Sequence, residues 1–157
     1  MSEDSDSRKW DERIENSHER VVEALNRKAN DDGWKTIGKH SGPEQGIDLK
    51  LEKDNRVAII EVAGERPTQP NVTGRVKMAL GAIMMDMKDE EAGREYRYCM
   101  AFPTTEAFER CKIPLKARKS SGISVVFVEC TTGALKVLLP DANDMTHFSN
   151  LDGIFSC

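Results

Sequence analysis

Residues 46–65 read GIDLKLEKDNRVAIIEVAGE, and the fold of the chain follows from how this stretch pairs with itself. Two runs with strand patterning, 49–53 and 56–62, flank Asp54-Asn55, whose short polar side chains tolerate positive φ and suit a two-residue hairpin turn. That turn pairs Lys53 with Arg56, Leu51 with Ala58 and Leu49 with Ile60, and the same register brings Asp48 opposite Glu61. Like charges facing each other across a ladder destabilise it, with Cβ atoms about 4.5–5.5 Å apart, so the pairing predicts a compensating partner. One Mg²⁺ would serve, since it binds through one or two carboxylates at about 2.0–2.1 Å and keeps several waters. The two-residue period also places position 63 on the face of Asp48 and Glu61, and turns Leu49, Ile60 and Val62 to the other face. Position 63 is Ala.

Upstream, Trp10, Ile14, Val21, Val22, Leu25 and Ala29 recur at helical spacing, and Asn30-Asp31-Asp32-Gly33 supplies the stop. At 100° per residue, Glu15 and Glu19 lie about 80° and about 120° from the centre of that stripe and Glu23 about 160°. Glu15 and Glu19 are therefore expected to border a buried interface. Residues 34–37 alternate as a short strand, and 38–46 is rich in turn formers. Downstream, Arg66-Pro67-Thr68-Gln69-Pro70 breaks the chain. Asn71 or Thr73 can then cap a helix reaching about Lys88, with Val76, Leu80, Ile83, Met84 and Met87 as its apolar stripe. The pattern continues with a strand over 96–102 ended by Pro103, a short helix over 104–111, a buried strand over 124–130 and an edge strand over 134–139. This gives an α/β domain over 9–139, preceded by a disordered tail, 1–8, and followed by a C-terminal extension or dimer arm, 140–157.

Composition narrows the function. A chain of 157 residues can build one core without disulfides or a structural metal. The charge of −4 excludes a uniformly basic nucleic-acid binder while leaving local basic patches open. No apolar run approaches the ~20 residues of a membrane helix, and the start, MSEDSDSRKW, is no secretory leader, so no membrane association and a cytoplasmic location are expected. Cys99, Cys111, Cys130 and Cys157 form no C-x-x-C pair, and His18, His40 and His147 are far apart in sequence, which gives no zinc spacing and predicts reduced thiols.

The order helix with Glu, strand, Gly-Ile-Asp, hairpin, Ile-Ile-Glu-Val-x-Gly-Glu, long helix, strand, helix, strand resembles the PD-(D/E)xK nuclease superfamily, which includes restriction endonucleases and Holliday-junction resolvases. The resemblance covers roughly residues 10–130. It implies a restriction-endonuclease-like fold, a mixed central β-sheet flanked by helices, with the Glu-bearing helix on one face and the long helix on the other. It assigns the motif Asp to Asp48 and the acidic member of (D/E)xK to Glu61. The helix glutamate falls at Glu19, because ERVVEALNRKANDDGW looks like the family's helix leading to Gly-aromatic. The implied activity is Mg²⁺- or Mn²⁺-dependent endonucleolytic hydrolysis of DNA, duplex or branched. Asp48, Glu61 and the backbone carbonyl of Val62 would hold the metal, with Glu19 supporting a second ion or a metal-bound water. A homodimer, or a partner subunit or activator, is implied as well, with phage defence, repair and recombination all left open as the pathway.

One position departs from that pattern. The family has Lys where this chain has Ala63, and a methyl group can neither orient nor deprotonate water nor stabilise charge on the reacting phosphate. The chain is therefore expected to be inactive, with Ala63 read as an engineered substitution in preference to a natural pseudo-nuclease. The alternative is a nuclease-fold module that binds DNA or assembles with protein without cutting. For phosphate contact the sequence offers Arg66, Arg75 and Lys77 near the motif and Lys112, Lys116, Arg118 and Lys119 within KIPLKARKSSG.

Overall fold

The structure is a computed structural model that describes residues 17–39, 48–64, 72–88, 90–104 and 113–155. Its centre is the predicted hairpin. Strand β2 (Leu49–Lys53) pairs antiparallel with β3 (Arg56–Val62), with Lys53 opposite Arg56, Leu51 opposite Ala58 and Leu49 opposite Ile60. Asp54 takes the positive φ that the tight turn needs, 55°. On the outer side of β2 lies β1 (Lys35–Lys39), antiparallel, with its register shifted between Thr36 and Gly38.

The chain then crosses through helix α2 (Val72–Met85) to β4 (Glu95–Pro103), which runs parallel to β3. A second crossover through α3 (Leu115–Ser121) leads to β5 (Ile123–Val128), parallel to β4. Strands β6 (Leu135–Leu138) and β7 (Thr146–Phe148) add antiparallel neighbours, so the described strands form one seven-stranded mixed sheet in chain order. Strands β4 and β5 are wholly or largely buried, as parallel strands covered on both faces must be.

Two apolar layers sandwich this sheet. On one face, Val21, Val22, Leu25 and Ala29 of helix α1 (Ser17–Asp31) pack over Leu49, Leu51, Ala58, Ile60 and Val62. On the other, Val76, Ala79 and Ile83 of α2 join Val57, Ile59, Ala63, Met100 and Phe127. The two-residue period of β3 is thus realised as predicted: odd positions face α2 and even positions face α1.

Several expectations are corrected. The strand over 134–139 is no edge, because β7 pairs with it. Residues 140–155 are consequently part of the domain. Leu151, Ile154 and Phe155 of a short 3₁₀ turn (Leu151–Phe155) enter the α1-side core, where Phe155 stacks on Trp34 with centroids 5.4 Å apart. Asp152 accepts hydrogen bonds from Trp34 Nε1 (3.0 Å) and Lys53 Nζ (3.1 Å), tying that turn to the hairpin. Met84, assigned to the apolar stripe of α2, is exposed instead, and Ala79 takes the buried position. The expected helix over 104–111 and the tail 1–8 lie outside the described residues, apart from Thr104, which forms a bend.

The basic segment offered for phosphate contact is only partly available for it. It forms α3, and Arg118 is 4% exposed. Its guanidinium donates to the carbonyls of Ile113 (3.0 Å), Ala142 (2.8 Å) and Leu139, so this residue joins two loops and is withdrawn from phosphate contact. Arg118→Met is expected to cost about 2 kcal/mol, because three carbonyls lose a charged donor. The urea midpoint should fall with an unchanged slope; an unchanged midpoint would show the tie to be dispensable.

Candidate active site

Where β2 and β3 end, Asp48 sits one residue before the first ladder pair, and its carboxylate does what the missing strand residue would have done. Its Oδ2 accepts the N–H of Val62 at 2.8 Å, with Asp48 only 7% exposed. The predicted opposition of Asp48 and Glu61 therefore occurs between side chains beyond the end of the ladder, close enough for each carboxyl group to perturb the ionisation of the other. Because N–H and C=O of one strand residue point to the same side, the Val62 carbonyl also points past the first residue of β2. Ala63 turns its N–H the opposite way, to the Ala101 carbonyl of β4 (3.0 Å).

The two carboxyls have different environments. Burial alone would raise the Asp48 pKa, but hydrogen bonds from His18 and from the Val62 N–H, with the attraction of His18, outweigh it and hold Asp48 below its ordinary value. Glu61 has no such donors. Burial first, then repulsion from Asp48, the hydrogen bond to Asp48 and repulsion from Asp86 push it up to about 9. The two shifts run in opposite directions, so the pair takes up its proton at Glu61 in preference to Asp48. The Oε2 atom of Glu61 is buried and has no hydrogen-bond partner among the described residues. Asp86, just beyond the end of α2, is half-buried, and its pKa is raised chiefly by burial and further by Asp48, against the pull of Lys88.

His18 and Asp86 are the members that the sequence reading passed over. His18 Nε2 lies 3.2 Å from Asp48 Oδ1. A signal for it exists in the sequence: His18 is three residues before Val21 and four before Val22, hence on the buried stripe of α1. Glu19, the residue assigned to the site, points away from the stripe and is exposed. Asp86 has no comparable signal, since it follows the last residue of α2 and its direction depends on where that helix crosses the sheet.

The other assigned residues are dispersed. Arg75 donates through Nη1 to the carbonyl of Gly64, one residue past Ala63. Lys77 is exposed on α2, and Lys116 and Lys119 are exposed on α3, which packs on β5, two strands away from β3. Arg66 and Lys112 lie outside the described residues.

Among the described residues, no three His, Cys, Asp or Glu side chains converge closely enough to hold an ion by themselves. The donors that do suit a dication are the two carboxylates and the Val62 carbonyl, completed by water, which is the sparse oxygen set that Mg²⁺ accepts. The orphaned Oε2 of Glu61 fits this set, because a cation would give it the partner it lacks and relieve its repulsion with Asp48. Among the described residues no helix is long and apolar enough to cross a membrane.

No family model and no curated protein matches the chain. Solved structures do. An XisH family protein from Nostoc punctiforme is similar with a TM-score of 0.45 and 13% identity, over 74% of this chain and 95% of that one. An FdxN element excision controlling factor protein from Anabaena variabilis is similar with a TM-score of 0.45 and 12% identity, over 74% and 95%. What the chain has of its own is an α/β architecture with a mixed seven-stranded sheet flanked by helices.

Proposed function

We propose that this chain carries the metal and phosphate site of a DNA endonuclease and that, with Ala63 in place of a catalytic lysine, it binds without cutting. The observation that carries the reading is the Asp48–Glu61 pair at the mouth of the β2–β3 hairpin, one oxygen of which is buried with no partner among the described residues. Asp48, Glu61 and the Val62 carbonyl would hold Mg²⁺ or Mn²⁺. Such an ion supplies charge stabilisation to a phosphodiester and a more acidic water.

The chain's own residues have separable tasks. Asp48, kept ionised and oriented by His18 and the Val62 N–H, provides the standing negative charge that attracts a cation. Glu61 releases its proton on loading, so binding should liberate about one proton near neutral pH. Ala63 faces the same side of the sheet as Glu61 but offers only a methyl group, so no side chain there moves a proton. The exposed Lys77, Lys116 and Lys119 are available to phosphates, and the expected substrate is DNA, duplex or branched.

A second reading, a binding or assembly module of the same fold, is favoured by the packing of Ala63, which is 7% exposed within the α2-side core and fits as alanine. Calorimetry with Mn²⁺ tests the site that both readings share. Asp48→Ala should abolish binding, and His18→Ala should weaken it about tenfold or more by freeing the Asp48 carboxylate. Equal Mn²⁺ binding by wild type and Asp48→Ala would show that the site is not here.

A further inference from the structure

Helix α2 presents two faces with different fates. Val76, Ala79 and Ile83 are buried against the sheet, whereas Met78, Met84 and Met85 are 73, 53 and 75% exposed. At 100° per residue, Gly74, Met78, Gly81 and Met85 lie within about 30° of one line along the solvent side. Gly81 has no positive φ, and a Cβ built on it would meet nothing within 4 Å. Among the described residues, nothing in the fold of one chain therefore requires glycine at a position where it weakens a helix relative to alanine.

The ends of the helix differ in charge. Its start carries Arg75 and Lys77 with no acidic residue in the first turn; its end has no basic residue in the last turn and is followed by Asp86. The charges within the helix and at Asp86 have the same signs as the helix macrodipole, so α2 is positive at its beginning and negative at Asp86, where only Lys88, beyond the helix, offsets the charge in part.

We propose that two copies of this chain associate through α2, antiparallel about a two-fold axis passing between positions 79 and 80. The face is self-complementary in that register. Met78 lies over Gly81 of the partner subunit, and Met85 over Gly74 of the partner subunit, each contact occurring twice as two-fold symmetry requires. The glycines let the backbones approach, and the flexible thioether side chains fill the space above them. The antiparallel arrangement also sets the Arg75 and Lys77 end beside the negative end of the other copy. A face of one 14-residue helix, about 21 Å long, is smaller than the roughly 800 Å² per partner of a standard interface, so the dimer is a weak one. This proposal does not depend on the nuclease reading.

Sedimentation velocity and light scattering on the full chain, at concentrations up to about 100 μM as a weak interface requires, test it. Wild type should pass from monomer to twice the monomer mass as concentration rises. Gly81→Ala should weaken the dimer, and Gly81→Leu should weaken it at least tenfold, while both keep or raise the melting temperature because the monomer has open space at that position. Met78→Glu should also give a folded monomer. Wild type that stays monomeric across the range would overturn the proposal. So would a dimer that Gly81→Leu and Met78→Glu leave intact, or an α2 face that takes up an unrelated helix while the chain itself does not associate.

Discussion

Ala63→Lys is expected to give cleavage of duplex or branched DNA in Mg²⁺ or Mn²⁺, at a rate at least about 10²-fold above the chain with Ala63. A positioned acid–base group contributes about 10²–10⁴-fold, and stabilisation of developing charge adds an effect of similar size. The site is arranged to use the new cation. Position 63 is on the α2 side of β3, two residues beyond Glu61, so an ammonium group extending from it can reach the carboxyl pair and the phosphate that a metal would hold. The same ammonium would favour ionised Glu61 and draw its pKa down from about 9. The buried setting of Ala63, 7% exposed, demands that the lysine stem run along apolar neighbours while its charged end stays at the site. A plasmid-nicking assay reads the outcome, with Asp48→Ala combined with Ala63→Lys as the control. A folded Ala63→Lys protein that binds Mn²⁺ but cleaves no duplex, single-stranded or branched DNA would leave the binding module as the surviving reading.

The second expected result concerns pH. The Glu61 pKa is raised by folding, from an ordinary 4.5 to about 9, so across that window the folded state holds a proton that the unfolded chain has released. Stability from this group is complete below about pH 4.5 and is lost as pH rises towards 9. Asp48 acts with the opposite sign: its pKa is lowered, so its contribution is present above the ordinary 3.8 and is lost as pH falls. A side chain still reached by solvent is screened, and the Glu61 loss should amount to about 2 kcal/mol, well under the full shift. Glu61→Gln keeps the size and polarity of the side chain without the titration. In metal-free buffer it should therefore melt higher than wild type at pH 8 and equally at pH 4. Adding Mn²⁺ should reverse the order, stabilising wild type and leaving Glu61→Gln unchanged. Parallel melting curves across pH for the two proteins would show that Glu61 is not a neutral acid in the folded state.

The hairpin, its two-residue turn and the register from Lys53–Arg56 to Leu49–Ile60 were legible in residues 46–65 because a tight turn and a two-residue period leave one arrangement open. The same period assigned the faces of β3 correctly, including Ala63 and Val62. The apolar stripe of α1 was likewise readable from Val21 to Ala29, and with it the direction of His18, which stands on that line between Ile14 and Val21 but is not itself apolar. These are features that neighbours along the chain decide.

Tertiary structure decided the rest. A helical period gives the rotation of a side chain about its own axis but not which strand the helix crosses, so only the packing of α1 on the sheet put His18 on Asp48 and left Glu19 outside. Burial of Arg118 depended on the Leu139 and Ala142 carbonyls, more than twenty residues away in sequence. Met84 was turned outward because α2 meets the sheet along Val76, Ala79 and Ile83, a line that includes a small residue no hydrophobicity pattern ranks above methionine. The weak pattern of 140–155 became a strand and a core turn because β6 offered it an edge and Trp34 a ring to stack on. By itself the sequence determined the hairpin and the faces of its strands, through steric rules acting over a few residues. Which charged groups meet at its open end was settled by contacts between distant segments, where burial and long-range packing override local pattern.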